Sequence, residues 1–239
     1  MAYQATFKRR EIKYLLTRQQ KAQLLQIMAP YMALDRYGRT TIRNLYFDTD
    51  DYRLIRHSIE KPVYKEKLRI RSYCQAVPGN PVFVELKKKF NGVVYKRRIQ
   101  MQEAGALQWI CHGKQEVPRQ QIAGEIDYFC RYYGSLMPRV FLSYEREAYY
   151  CQSGGDFRVT FDENILCRQE ALTLESEAWG TPLLGEDQVL MEIKTAGSIP
   201  LWMTAALTRM ALHKTSFSKY GRAYETVIFP KCKGVFQNV

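Results

Sequence analysis

Apolar and polar residues alternate along much of the chain, and this two-residue period is typical of β-strands with one buried face. The alternation predicts a strand after Asn91 and further strands over about 3–16, 41–48, 63–74, 82–90, 138–151, 158–162 and 189–194. The dipeptide Asn91-Gly92 is a strong hairpin signal, and residues 78–81 also have turn composition. The middle of the chain is therefore predicted to hold three consecutive antiparallel strands.

Helical spacing of apolar residues occurs in four shorter stretches. Thr17 is predicted to cap a helix that ends at Pro30. Three more helices are predicted over about 103–112, over about 119–132 and from Pro200 onward. About eight strands, joined mostly by hairpins, predict an α+β fold built as an eight-stranded antiparallel β-barrel with helices packed outside.

The 239 residues contain no repeat, low-complexity tract or Gly/Ser-rich linker, so a single domain over 1–239 is predicted. The six cysteines form no Cys-x-x-Cys pair and have no metal-ligand spacing with the three histidines, which argues against a zinc site and a disulfide framework. Neither a signal peptide nor an apolar stretch of roughly 18 residues is found. These features predict a cytoplasmic protein, and association with a membrane through a partner protein stays open.

Basic side chains recur at every second position in the central strands. Alternate residues of a strand share a face, so each strand carries a row of cations on one side and aliphatic residues on the other. The net charge of +12 adds a field that attracts polyanions. The rows are Lys65, Lys67, Arg69 and Arg71, then Lys87 and Lys89, then Lys96 and Arg98.

Single carboxylates lie on or beside these and similar rows, at Glu85, Asp162 and Glu192. A surface that only attracted phosphate would gain by omitting them, whereas a divalent metal bound to phosphate needs a hard oxygen ligand. Metal-assisted phosphate chemistry is therefore the leading hypothesis from the residues alone.

The rows allow two arrangements. Rows that face outward would form a sheet that binds RNA or single-stranded DNA, but such sheets usually carry aromatic residues for base stacking, and Tyr73 alone lies at the end of a row. If the rows face inward, the cations must share anions or solvent between them, because burying like charges together costs free energy. A row of Lys and Arg on a single strand is most simply explained as a face exposed to solvent. The same pattern on several strands is harder to explain in that way.

Eight short motifs follow one another along the chain: EIKY at 11–14, RNLYFDT at 43–49, LRIRSY at 68–73, VELKK at 84–88, LSYER at 142–146, RVTFD at 158–162, MEIK at 191–194 and FSKY at 217–220. Through these motifs the chain resembles the VTC-type polyphosphate polymerase domain, a branch of the triphosphate tunnel metalloenzymes and a relative of the CYTH domain. The resemblance covers about residues 7–225 and leaves a C-terminal tail at 226–239.

The resemblance implies an eight-stranded tunnel that binds a nucleotide triphosphate with Mn²⁺ or Mg²⁺. It implies that the γ-phosphate of ATP passes to the end of a growing polyphosphate chain while ADP leaves, so ATP and polyphosphate are the expected partners and a specific nucleic acid is not. Glu192 is the expected metal ligand, and Glu85 either assists it or pairs with neighbouring lysines. The expected catalytic cations are Arg69, Arg71, Lys87 and Arg146. The other expected phosphate ligands are Lys13, Arg43, Lys67, Lys96, Arg98, Tyr144, Arg158, Ser218 and Lys219.

The chain departs from this family pattern at two places. Hydrolytic relatives open with an E-x-E-x-K pattern, and here Arg9 replaces the first acid, leaving Glu11 and Lys13. Fewer carboxylates polarise water less well, while added cations favour a second phosphate chain, so transfer is favoured over hydrolysis. Ser216 stands where some members carry a lysine. A triphosphatase on the same scaffold and a non-enzymatic polyanion- or RNA-binding module are the alternatives.

Overall fold

The structure is a computed structural model that describes residues 10–113 and 120–231. Its strands are β1 (Arg10–Thr17), β2 (Met32–Leu34), β3 (Thr40–Asp48), β4 (Tyr64–Tyr73), β5 (Val82–Phe90), β6 (Val93–Met101), β7 (Met137–Cys151), β8 (Arg158–Arg168), β9 (Thr181–Pro182), β10 (Gln188–Thr195) and β11 (Lys214–Thr215). Its helices are α1 (Arg18–Met28), α2 (Arg53–Ile59), α3 (Glu103–His112), α4 (Gln121–Tyr133), α5 (Leu201–Arg209) and α6 (Lys219–Ala223), and a π-helical turn follows at Tyr224–Ile228.

One antiparallel sheet runs in the order β11-β1-β10-β8-β7-β3-β4-β5-β6, with β2 beside β7 and β9 beside β8. The α+β, antiparallel character is confirmed, but the predicted eight-stranded barrel is wrong, because the described sheet has eleven strands and does not close. Closure would require β1 to pair with β6 at the other end of the sheet. The outer edge of β1 pairs instead with the short strand β11, where Lys13 lies opposite Thr215. Alternation could not reveal β2, β9 or β11, since two or three residues are too few to show a period.

Most other predicted elements are present with shifted ends. The Thr17 hydroxyl accepts a hydrogen bond from the backbone N–H of Gln20 and the Gln20 side chain accepts one from Thr17, so the predicted cap of α1 is a capping box. Pro200 is the N-cap of α5. The pattern does not predict α2, which has seven residues. Parts of the predicted first strand and of the C-terminal tail lie outside the described residues.

Apolar side chains cover the convex face of the sheet in two clusters. The first joins β3, β4, β5 and β6 to α3 and α4 around the buried Trp109 and Phe129. The second joins β1, β8 and β10 to α1 and α5 around Leu24 and Met203. Burial of this apolar surface is the main favourable term in folding, and it determines which side of each strand remains available for charged residues.

A third apolar cluster covers part of the concave face. Ile55 of α2 and Tyr220 of α6 pack there against inward side chains of β3 and β7. The buried carboxylate of Asp48 accepts hydrogen bonds from the backbone N–H groups of Leu54 and Ile55 and from the Tyr220 hydroxyl. These bonds attach both short helices to the end of β3. No helix within 10–113 or 120–231 is both long and apolar enough to cross a membrane.

Candidate functional site

The concave face of the sheet carries a continuous polar surface, which we call the trough. Residues opposite each other in antiparallel strands share a face, and the register places Lys13 opposite Glu192 and Lys67 opposite Lys87. Ten cationic side chains and four carboxylates of the described residues make up its central part. They are Lys13, Lys67, Arg69, Arg71, Lys87, Lys96, Arg98, Arg146, Lys194 and Lys219, with Glu11, Glu85, Asp162 and Glu192.

Glu192 and Asp162 form a carboxylate pair on one wall of the trough. Asp162 accepts two hydrogen bonds from the Arg146 guanidinium, at 2.6 and 2.7 Å, and one from Lys219 Nζ at 2.5 Å. Burial alone would raise the pKa of Glu192, but the surrounding cations hold it well below its usual range. Four cationic groups lie near the Glu192 carboxylate: Lys194 at 3.1 Å, Lys13 and Lys219 at 3.4 Å, and Arg146 at 3.6 Å.

Glu85 is the centre of a second cluster on the opposite wall. Its carboxylate is fully buried and receives hydrogen bonds from Arg69 Nε and Nη2 at 3.0 and 2.8 Å. Lys96 Nζ lies 2.5 Å away, Arg98 Nε 3.5 Å and Arg71 Nη1 3.8 Å. Burial would raise the pKa of Glu85, and these cations lower it well below its usual range. The carboxylate therefore stays ionised and orients the cations around it.

Side chains join the two walls although the strands do not pair. Lys87 Nζ on β5 donates to Glu11 Oε2 on β1 at 2.7 Å. Lys67 Nζ on β4 donates to the Ser218 hydroxyl, the N-cap of α6, at 2.9 Å. These contacts show that the sheet curves until its distant strands face each other, which gives the tunnel-like enclosure that the sequence predicts without a closed ladder.

Neutral polar groups position the arginines at the base of the trough. Arg71 Nε donates to Asn44 Oδ1 at 2.9 Å, and Arg71 Nη2 donates to the Tyr144 hydroxyl at the same distance. Arg69 Nη1 donates to the Tyr46 hydroxyl at 2.7 Å. Burial would raise the pKa of Tyr144, but nearby cations, Arg71 first, lower it to about 8. The local potential is therefore strongly positive.

Two lysines of the trough have lowered pKa values, for which burial is the main cause and neighbouring cations a further one. Burial, with help from neighbouring Lys13 and Lys87, lowers the pKa of Lys67 to about 7. Burial and the adjacent arginines lower the pKa of Lys96 to about 7, against the opposing effect of Glu85. A polyanion in the trough would supply the missing negative charge and favour the protonated form of both side chains.

The trough brings together most of the predicted phosphate ligands and both predicted metal ligands. Arg158 lies on the same face at an exposed strand end, opposite Lys194. Arg43 does not belong to this group, and its assignment as a trough ligand is corrected. It stands opposite Ser72 and Ser143, whose side of the sheet is the convex one, while its neighbour Asn44 faces the trough.

Several trough residues were not among the predicted ligands. Asp162 shares the every-second-residue row of Arg158, and Lys194 follows Glu192 by two residues, so the period carries a signal for both. Asn44 and Tyr46 have no such signal, because Ile42, Leu45 and Phe47 around them give β3 an apolar, poorly alternating pattern. Their roles depend on contacts with Arg71 and Arg69 that sequence cannot show.

The carboxylates fit a divalent metal only together with phosphate. Among the described residues no group of three or more acidic, histidine or cysteine side chains could hold an ion alone. Glu192 and Asp162 share Lys219 as a partner, so their oxygens converge on one region of the wall. Mg²⁺-type ions are commonly bound by one or two carboxylates plus substrate phosphate oxygens, and this donor set meets that requirement.

The family model described as the VTC domain matches residues 8–228. A search of curated protein sequences gave no match. A candidate adenylate cyclase from Bacillus halodurans has a similar solved structure, with a TM-score of 0.57, 14% identity, and coverage of 90% of this chain and 96% of the other. A candidate adenylyl cyclase from Hippeastrum with a dominant triphosphatase activity is similar with a TM-score of 0.55, 17% identity, and coverage of 92% and 96%. At these identities the two structures establish a common fold.

Proposed function

The chain belongs to the VTC domain family, and from this membership and the trough we propose that it is a metal-dependent ATP–polyphosphate phosphotransferase. Tunnel-fold enzymes of the VTC and CYTH type generally depend on a divalent metal and act on triphosphates or polyphosphate. The finer assignment is that the γ-phosphate of ATP is transferred to the end of a polyphosphate chain.

The surplus of cations in the trough is the observation that carries this proposal. The central part of the trough, as far as the described residues form it, has ten cationic side chains and four carboxylates. A nucleotide triphosphate carries roughly four negative charges near neutral pH, so a surplus remains for a second phosphate chain. Each of the four carboxylates is already within 4 Å of at least one cation and has a lowered pKa, which makes it a poor base for activating water.

Transfer requires alignment more than acid–base chemistry. A terminal oxygen of the acceptor chain forms a bond to the γ-phosphorus, the bond from that phosphorus to the bridging oxygen breaks, and ADP leaves with the electron pair. Arg69, Arg71, Lys87 and Arg146 are assigned to hold the reacting phosphates and to neutralise charge on their oxygens. The other trough lysines bind the remaining phosphates.

Glu192 is assigned as the principal metal ligand, with Asp162 beside it. A bound Mn²⁺ or Mg²⁺ supplies charge neutralisation on phosphate oxygens. Glu85 fits a structural role better, because it is fully buried and the cations around it pair with no other carboxylate of the described residues. Glu192, in contrast, shares Lys219 with Asp162. We therefore retain Glu85 as the residue that positions Arg69 and Arg71.

The proposal is tested by incubating the purified protein with ATP labelled in its γ-phosphate and Mn²⁺, with and without a short polyphosphate primer. Label in long chains on a gel, together with ADP, supports transfer. Label only in orthophosphate contradicts transfer and supports hydrolysis. The variant Arg146→Lys keeps a positive charge but loses the two-point contact with Asp162; we expect it to be folded and at least about 10-fold slower.

Hydrolysis of triphosphates is the second candidate function. The similar Hippeastrum structure belongs to a protein with dominant triphosphatase activity, and the same trough could hold a tripolyphosphate for attack by water. The two activities are separated by the labelled product above. The non-enzymatic alternative would be favoured if the protein binds RNA tightly and turns over no nucleotide, and if Glu192→Ala leaves RNA binding unchanged.

A further inference from the structure

The convex face contains a buried cation that the trough does not use. Arg43 is only 7% exposed, and its Nε and Nη1 atoms are buried without a hydrogen-bond partner. Within the described ranges no carboxylate lies within 4 Å of its guanidinium. Glu177 acts on Arg43 only from a greater distance and outweighs neither its burial nor its missing hydrogen bonds. A buried guanidinium without a close acceptor is expensive, so an anion in contact with it would stabilise this side chain.

A second unpartnered donor lies directly across the strand pair. Ser143 on β7 is opposite Arg43 in the register, and its buried Oγ has no hydrogen-bond partner. Ser72 is opposite Arg43 on the other side, on β4, but its Oγ already donates to the carbonyl of Cys74. Arg43 and Ser143 thus offer N–H and O–H donors toward one side of the sheet.

Arg168 adds a second buried guanidinium near this place. It is 4% exposed, and burial, followed by the charge of Arg43, lowers its pKa to about 10. Its donors are satisfied by the carbonyls of Glu170, Ala171, Glu177 and Trp179 and by the Ser176 hydroxyl. These acceptors are neutral, so they orient Arg168 and the segment 169–180 without cancelling the charge.

We propose that Arg43 and Ser143 bind a single tetrahedral oxyanion, phosphate or sulfate, on the convex face. The unprotonated oxygens of such an ion accept hydrogen bonds and point in several directions, which suits a guanidinium edge and a hydroxyl on adjacent strands. The small exposed fraction of Arg43 selects a single ion and excludes a long phosphate chain. The site faces away from the trough and does not depend on the function proposed for it.

The first test locates the ion. Crystals are grown with tungstate, a heavy tetrahedral oxyanion, after tripolyphosphate has been added to occupy the trough. The expected result is an anomalous peak within hydrogen-bond distance of the Arg43 guanidinium and Ser143 Oγ. Peaks confined to the trough, or water alone at Arg43, would overturn the proposal.

The second test measures affinity in solution by calorimetry with phosphate and, in a parallel arm, sulfate, again with tripolyphosphate present. Arg43→Met is expected to abolish the site. Ser143→Ala removes a hydroxyl with no partner, so it should fold normally and weaken binding about 10-fold. Ser72→Ala is the matched control, because its hydroxyl is already bonded, and it should bind like the wild type. Equal affinities for Ser143→Ala and wild type would contradict the proposal even if Arg43→Met fails to fold.

Discussion

Lys67 shows most clearly how a single residue of the trough favours ligand binding over stability. Its ammonium group donates to the Ser218 hydroxyl, while burial and then the nearby cations, Lys13 first, lower its pKa. In a protein selected for stability alone we would expect a neutral residue here, because a half-buried cation beside other cations disfavours the folded state. Its presence is explained when an anion occupies the trough.

The first prediction concerns Lys67→Met. We expect the free energy of unfolding to rise by about 1 kcal/mol near pH 6, because the repulsion is removed. We expect affinity for tripolyphosphate to fall about 10-fold, because one phosphate contact is lost. Urea denaturation and calorimetry measure the two quantities. Lys88→Met on the other face of β5, where Lys88 pairs with Glu66, should lower neither affinity nor turnover, and an equal loss in both variants would refute the assignment of Lys67.

The second prediction is a pH dependence with opposite signs for binding and stability. Lys67 and Lys96 have pKa values of about 7 in the folded protein, far below the ordinary lysine value of 10.5. Between about pH 7 and 10 the unfolded chain therefore holds more protons than the folded protein, so stability rises with pH. Over the same range the trough loses positive charge, and affinity for tripolyphosphate should fall.

This pH dependence is measured by chemical denaturation and calorimetry from pH 7 upward. Tripolyphosphate can only gain negative charge as the pH rises, so a fall in its affinity is due to the protein. Tyr144 also makes stability rise and affinity fall with increasing pH. Its pKa is lowered to about 8, and its ionisation adds negative charge to the trough. Stability and affinity that rise together with pH would contradict this account of the trough.

The third prediction concerns Glu192→Gln. The substitution removes a proposed metal ligand but also increases the positive surplus around Lys13, Lys194 and Lys219. We expect Mn²⁺-dependent turnover to fall by about 100-fold or more, while metal-free binding of tripolyphosphate is retained or strengthened. Glu163→Gln is the control, because that carboxylate pairs with Lys21 outside the trough. Retained Mn²⁺ dependence in Glu192→Gln would remove Glu192 from the metal site.

Among the secondary-structure elements, strand β3 places neighbouring residues in two different environments, one on each face of the sheet. Asn44 faces the trough and accepts a hydrogen bond from Arg71, whereas Arg43 faces the convex side beside Ser143. The RNLYFDT motif therefore contains side chains for both faces, and a motif match by itself cannot show which face each residue serves.

The curvature of the sheet gives the fourth prediction. Lys87 on β5 and Glu11 on β1 form a direct ion pair between strands that are distant in the sheet order. Lys87→Ala should increase amide hydrogen exchange in β1 and β5 in the ligand-free protein, because the two walls separate more easily. Lys89→Ala, one step along the same row, removes a cation without breaking a described ion pair, so it should leave exchange unchanged. Equal protection in Lys87→Ala and wild type would show that the bridge does not hold the walls.

At the scale of the whole molecule, the charged face could be predicted from sequence because it has a strict two-residue period. Rows such as Lys65 to Arg71 specify which side chains share a face, and antiparallel pairing then brings rows together. Closure could not be predicted in the same way, since it depends on which strand occupies each edge. The two-residue β11, which occupies the edge of β1, has no period to detect.

Charge balance is also a property of the whole molecule that sequence gives only in part. The excess of cations follows from composition, but the division of Glu85 and Glu192 between two clusters on opposite walls does not. The family resemblance implies that Glu192 is the metal ligand, and it leaves Glu85 either to assist the metal or to pair with neighbouring lysines. Each carboxylate has four cationic groups within 4 Å, and the structure distinguishes them because Glu85 is fully buried whereas Glu192 lies beside Asp162 and shares Lys219 with it.

If the inward cations of the trough hold a phosphate chain, a crystal structure with a non-hydrolysable ATP analogue and Mn²⁺ will locate that chain. We expect three phosphates between the walls, contacted by Arg69, Arg71 and Arg146, with the metal bound to Glu192. Phosphates bound outside the trough, while these cations keep only their carboxylate partners, would contradict this expectation.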